Sequence, residues 1–204
     1  MQSKEHWDKV YSTKPTDGVS WYQEHAESSL RLIQQTGVSS SAEIIDVGGG
    51  ASTLVDDLIA QGFTHLSVLD LSAAALAATK QRLGSRAKEV RWIPGDITKA
   101  SLPPLSYDVW HDRAVFHFLT DEADRQAYVQ TVLRSVKPGG FVIVATFSED
   151  GPTHCSGLPV QRYTADELHD EFGAPFELIS HEKEAHHTPF GTTQNFVYCF
   201  CRKN

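Results

Sequence analysis

The chain has 204 residues, with 18 Lys and Arg against 26 Asp and Glu and 40% hydrophobic residues. That size and balance suit one α/β unit with a real core and argue against chain-wide disorder. A net charge of −8 speaks against a nucleic-acid partner, because phosphates are held by Lys and Arg clusters, and no apolar run is long enough for a membrane span.

Met1–His6 lacks the apolar stretch of a signal peptide. Cys155, Cys199 and Cys201 do not form a disulfide framework, so a reducing cytoplasm is the expected setting. No CxxC or His-x₃₋₅-His spacing occurs, and no metal is expected.

Residues 1–21 carry Trp7, Tyr11 and Trp21 around Lys14-Pro15-Thr16-Asp17-Gly18. Proline and Asp-Gly favour a loop or turn there over a long element. Ala26, Leu30 and Ile33 then predict a helix over 22–36, stopped by Gly37. Residues 43–47 read as a strand, and Gly48-Gly49-Gly50 opens a helix carrying Leu54, Val55, Leu58 and Ile59. Residues 66–70 form a second strand. Ser72 caps a helix that runs to Leu83. Further strands are expected at 90–93, 107–110 and 141–145, with a helix over 121–136 ended by Lys137-Pro138-Gly139-Gly140. Thr164 and Glu167 make a capping box for a helix at 165–172. Residues 176–180 and 195–201 close the chain as an antiparallel pair joined by a long connection, 181–194.

Alternating strands and helices imply a parallel sheet covered on both faces. Right-handed crossovers put every loop that follows a strand on one edge. That edge gathers Asp46 to Gly50, Asp70, Asp96, Asp112 and the segment after Phe147.

A glycine loop between strand and helix suits a phosphate or a carboxylate. The dinucleotide fingerprint fails at Thr53, where a small residue is needed. Asp46 would repel a pyrophosphate but suits an ammonium group. Asp70 fits ribose hydroxyls, and Asp96 can accept from an adenine amino group. Three acids around a glycine loop therefore describe an adenosine with an amino-acid end and a positive centre.

Ile45-Asp46-Val47-Gly48-Gly49-Gly50-Ala51-Ser52, Leu69-Asp70-Leu71-Ser72, Gly95-Asp96-Ile97 and Leu133-Arg134-Ser135-Val136-Lys137-Pro138-Gly139-Gly140 resemble the successive motifs of class I S-adenosylmethionine-dependent methyltransferases. Order and spacing match over residues 40–148; Ser52 stands where the family has a third loop glycine. The resemblance implies a Rossmann-like doubly wound α/β sheet of seven strands, in order 3-2-1-4-5-7-6 with the last strand antiparallel. It implies S-adenosylmethionine as cofactor. Asp46, Gly48, Gly49 and Gly50 would hold the methionine part, Asp70 the ribose, and Leu71, Asp96 and Ile97 the adenine. Asp112 and Arg113 would line the methyl end.

Methyl transfer needs an aligned nucleophile and, for some acceptors, a base. His117 is the candidate base, since imidazole titrates near neutrality; it reads equally as a packed histidine between Phe116 and Phe118. His154 and Cys155 lie in a long loop expected to touch substrate. Trp7, Tyr11 and Trp21 suit a lid, with Trp21 expected on the cofactor and Trp7 and Tyr11 on the substrate, and with 1–21 as lid and 22–204 as core of a single domain. The expected activity is methyl transfer to a small-molecule nucleophile at S, N or O. The alternative is a protein lysine or N-terminal amine. A non-catalytic cofactor-binding module or a nucleotide-dependent oxidoreductase represents the other classes.

Overall fold

A computed structural model describes residues 4–204; residues 1–3 of the expected lid lie outside the described residues. Among the described residues one sheet holds seven strands: β1 (Glu43–Val47), β2 (His65–Asp70), β3 (Val90–Pro94), β4 (Tyr107–Arg113), β5 (Val136–Phe147), β8 (Phe176–His187) and β9 (Thr193–Lys203). A separate small hairpin pairs β6 (His154–Cys155) with β7 (Leu158–Pro159). The sheet order is β3-β2-β1-β4-β5-β9-β8. Strand β9 runs antiparallel to both β5 and β8. Counting sheet strands alone, this is the order 3-2-1-4-5-7-6 with its last strand reversed.

Helices α2 (Glu27–Gln35), α3 (Leu54–Ala60) and α4 (Ala73–Leu83) cover one face through Leu32, Ile33, Leu54, Leu58 and Leu76. Helices α5 (Glu122–Ser135) and α6 (Ala165–Phe172) cover the other through Tyr128, Val132, Leu168 and Phe172. The expected caps are in place. Ser72 Oγ accepts the Ala75 N–H at 3.2 Å, and Thr164 and Glu167 form a reciprocal capping box.

Two local expectations change. The first 21 residues contain a helix, α1 (Lys4–Thr13). Trp7, Val10 and Tyr11 share one of its faces, and Asp8 accepts the Ser72 hydroxyl at 2.7 Å, beside the positive N-terminus of α4. Residues 181–187 continue β8 rather than forming a connection, because they pair in register with β9 from His181↔Cys199 to His187↔Thr193. Ladder pairing outweighs the charge-rich Glu182-Lys183-Glu184 stretch. Phe196–Cys201 lack the alternation of a half-buried strand because β9 lies between two strands and both its faces are buried. No described helix is long and apolar enough to cross a membrane.

Candidate active site

The C-terminal ends of β1, β2, β3 and β4 converge with α1 on one cavity. Asp70, Leu71, Asp96 and Ile97 line one side, and Arg113, Val115 and Cys155 the other; Trp7, Tyr11, Trp21 and Phe118 also line it. A second cavity shares Tyr11, Trp21, Gly48 and Arg113 with the first and adds Asp46, Gly49, Ser29 and His111.

The glycine loop is shaped by what surrounds it. Gly48 has φ +75° and donates its N–H to Leu69 O at 2.7 Å, tying the loop to β2. A Cβ on Gly49 would lie 2.0 Å from Asp46 Oδ2. Gly50 gives its N–H to Asp70 Oδ2 at 3.0 Å.

Asp46 is buried and its two oxygens differ. Oδ1 takes the Nδ1 of His111 at 2.7 Å, while Oδ2 has no hydrogen-bond partner among the described residues. An unpaired buried carboxylate oxygen is costly, and one bordering a glycine cradle fits an arriving ammonium group. Asp70 is fixed by the N–H groups of Ser72 and Gly50. Asp96 is held by Thr98, whose N–H and hydroxyl both reach Oδ1. The residues present thus fit the methionine, ribose and adenine parts of S-adenosylmethionine.

Burial lifts Asp70 to about 6, opposed by the N–H groups of Ser72 and Gly50. A raised folded-state pKa places this group's stabilisation below about pH 4, and it is lost as pH climbs through about 6. Asp70→Asn is therefore expected to flatten the fall in melting temperature between about pH 4 and 7. Thermal unfolding across that range checks it, and an unchanged slope rejects the buried-charge account.

The aromatic side is a contact cluster. Trp7 stacks on Tyr11 with centroids 6.2 Å apart and meets Trp21 and Phe118 edge-on at 5.7 and 5.2 Å. Helix α1 is thereby clamped at the cavity by the rings of Trp7 and Tyr11 and, from the neighbouring Asp8, by the hydrogen bond to Ser72 at the start of α4.

The residues after β4 divide. Arg113 enters the cavity. Its Nη2 donates to Glu184 at 2.7 Å and its Nε to the Tyr198 hydroxyl at 3.0 Å, and the guanidinium lies 4.1 Å over the Phe196 ring. The expectation for Asp112 gives way. Its carboxylate points to the opposite face, accepting from Val115 N, Phe116 N and, at 2.6 Å, the Tyr128 hydroxyl. It anchors the turn where Ala114 adopts φ +72°. Neighbouring strand residues face opposite sides, so only one of the pair reaches the ligand edge.

His117 also departs from its expected place. It does not line either cavity. It is fully buried against Phe118 and Phe147, and Nδ1 accepts the Phe147 N–H at 3.3 Å. Burial, with Arg113 nearby, pushes it down to about 3, which makes it a poor proton acceptor. Cys155 lines the cavity as a thiol, pushed up to about 12 by burial. His154 is exposed and turned to Thr153. Cys199 and Cys201 sit with sulfurs 3.2 Å apart in the α5–α6 layer.

Sequence reasoning missed Asp8, Ser29, His111, Phe118, Glu184 and Tyr198. The partner of His111 depends on the β1–β4 register, which sets Asp46 directly beside it.

A profile described as a methyltransferase domain matches residues 45–142. The chain belongs to the class I S-adenosylmethionine-dependent methyltransferases. It is an enzyme of that type, and S-adenosylmethionine is its cofactor. Among curated relatives, the EEF1A lysine methyltransferase 2 of Danio rerio is 26% identical over 193 residues, covering 88% of this chain and 77% of that protein. The methyltransferase fold is shared with solved structures. One, concerned with conversion of a disulfide bond into a thioacetal group during echinomycin biosynthesis, has a TM-score of 0.81 at 15% identity and covers 100% of this chain and 92% of that one. Another, the Burkholderia thailandensis 1,6-didemethyltoxoflavin-N1-methyltransferase bound to its named substrate and S-adenosylhomocysteine, has a TM-score of 0.72 at 18% identity, covering 99% and 84%.

Proposed function

We propose that this methyltransferase methylates an amine, and that the amine is the side chain of a protein lysine. The observation that carries the reading is the chemistry of the cavity wall. Trp7, Tyr11, Trp21 and Phe118 line it, and among the described residues no histidine does; His111, in the adjoining cavity, is engaged by Asp46.

Asp46 and the Gly48–Gly49 backbone would hold the methionine end, Asp70 the ribose, and Asp96, Leu71 and Ile97 the adenine. Arg113 would close the far end. When bound, S-adenosylmethionine supplies a methyl group already activated on a sulfonium sulfur.

An amine attacks as a neutral nucleophile and becomes a cation as the new bond forms. Aromatic faces favour that cation by about 0.5–2 kcal/mol each. A hydroxyl acceptor needs a base, and His117 is held out of the cavity. A lysine enters as an ammonium and loses its proton more readily in apolar surroundings. The relatives' printed activity, on EEF1A lysines, supports the same class. The acidic chain suits a basic protein segment.

One observation favours a second reading, a small amine: α1 is clamped across the cavity by Asp8 and Trp7, which suits a substrate engulfed whole. Incubation with S-adenosylmethionine and either EEF1A or ethanolamine, followed by mass spectrometry, separates the two. Methyl groups on lysine support the main reading, and methylated ethanolamine supports the second. Transfer confined to thiols or phenols overturns both.

A further inference from the structure

We propose that Ser29 and His111 form a positioning relay that holds Asp46 Oδ1, so that Oδ2 stays free and charged for the cofactor's ammonium group. The proposal rests on the assignment of Asp46 to the amino-acid end of the ligand.

The parallel register of β1 and β4 sets Asp46 beside His111. His111 Nδ1 lies 2.7 Å from Asp46 Oδ1, and its Nε2 lies 2.8 Å from Ser29 Oγ on α2. All three are buried. Ser29 Oγ in turn lies 3.4 Å from the Tyr198 hydroxyl on β9.

Counting protons decides which way the relay runs. Tyr198 has one hydroxyl proton, and it goes to Glu184 Oε2 at 3.1 Å; its oxygen accepts from Arg113 Nε. Tyr198 therefore has no proton for Ser29. Ser29 has one proton and two neighbours, His111 at 2.8 Å and Tyr198 at 3.4 Å. Asp46 Oδ1, as a carboxylate oxygen, can only accept, so Nδ1 is the ring's donor and Nε2 of the neutral imidazole accepts from Ser29. The ring proton then sits on Nδ1 and is donated to Asp46 Oδ1. His111 is neutral in this arrangement, and the Asp46–His111 pair carries one negative charge.

Two probes test this: S-adenosylhomocysteine, and 5′-methylthioadenosine, which lacks the amino-acid end. Calorimetric titration of His111→Ala is expected to show at least about 10-fold weaker binding of S-adenosylhomocysteine. Binding of 5′-methylthioadenosine should stay within about 2-fold, because it lacks the group that Asp46 serves. His111→Asn, whose Nδ2 takes the place of Nδ1 as a donor, should recover most of the affinity. Equal losses for both ligands in His111→Ala, or none, overturn the relay. If that variant does not fold, His111→Asn decides in its place, and an equal loss for both ligands there overturns the relay. Asp46→Asn separates the premise: unchanged S-adenosylhomocysteine affinity there means the Asp46 assignment has failed, whatever His111 does.

Discussion

Replacing Asp112 by alanine is expected to lower the unfolding free energy by about 3–5 kcal/mol, because three buried donors lose their acceptor at once. The carboxylate is completely buried and receives three donors, Val115 N–H, Phe116 N–H and the Tyr128 hydroxyl. Each buried donor left without an acceptor costs about 1–3 kcal/mol. The turn it anchors holds Ala114 in a left-handed conformation, which costs a non-glycine residue about 1–2 kcal/mol. Without the carboxylate nothing offsets that strain, and the turn that aims Arg113 into the cavity loosens. Asp112→Asn should lose less, because its carbonyl still accepts one N–H. A melting temperature lower by roughly 6–20 °C is the expected reading for alanine. A loss within about 1 kcal/mol, the range of an ordinary substitution, rejects the anchor role.

The second large effect is expected at Gly49, and it falls on binding rather than folding. A Cβ there would sit 2.0 Å from Asp46 Oδ2 and 2.5 Å from its Cγ, well inside the normal carbon–oxygen contact. A free carboxylate would swing away. This one is held by His111 on its other oxygen, so either that hydrogen bond breaks or the loop moves. Overpacking of this kind costs about 1–3 kcal/mol. The displaced group is also the acid assigned to the cofactor's ammonium, so Gly49→Ala should weaken S-adenosylhomocysteine by about 100-fold, near 2.7 kcal/mol. Calorimetry on the folded variant checks this. Full affinity in a folded Gly49→Ala would mean that the loop yields freely and that Asp46 is not constrained as described.

The expected preference for a small-molecule acceptor is the part of the functional reading that changed most. The amine acceptor proposed above rests on the cavity wall, with the relatives' printed activity in support. The expected base, His117, follows the same pattern. An imidazole just after a strand end is a reasonable candidate from sequence, but the single turn Phe116–Phe118 that carries it packs it inward between two phenylalanines.

Local sequence determined a great deal here. The strands, the helix caps, the glycine loop and the order of Asp46, Asp70 and Asp96 at successive strand ends were all legible. Each depends on side-chain period, turn chemistry or a crossover rule that acts within a few dozen residues. What only the tertiary structure decided was which way side chains face and what distant residues meet them. On β4 a one-residue change of parity exchanges Asp112 for Arg113 at the ligand edge, and nothing in His111-Asp112-Arg113 states that parity. The partnership of His111 with Asp46 needs the register of two strands separated in the chain by two others. Helix α1 carries Trp7, Val10 and Tyr11 on one face, but its sequence does not state what that face meets. It is stabilised by Asp8 on α4 and by Trp7 on Phe118, contacts across more than sixty residues that exist only once the sheet has brought those groups together.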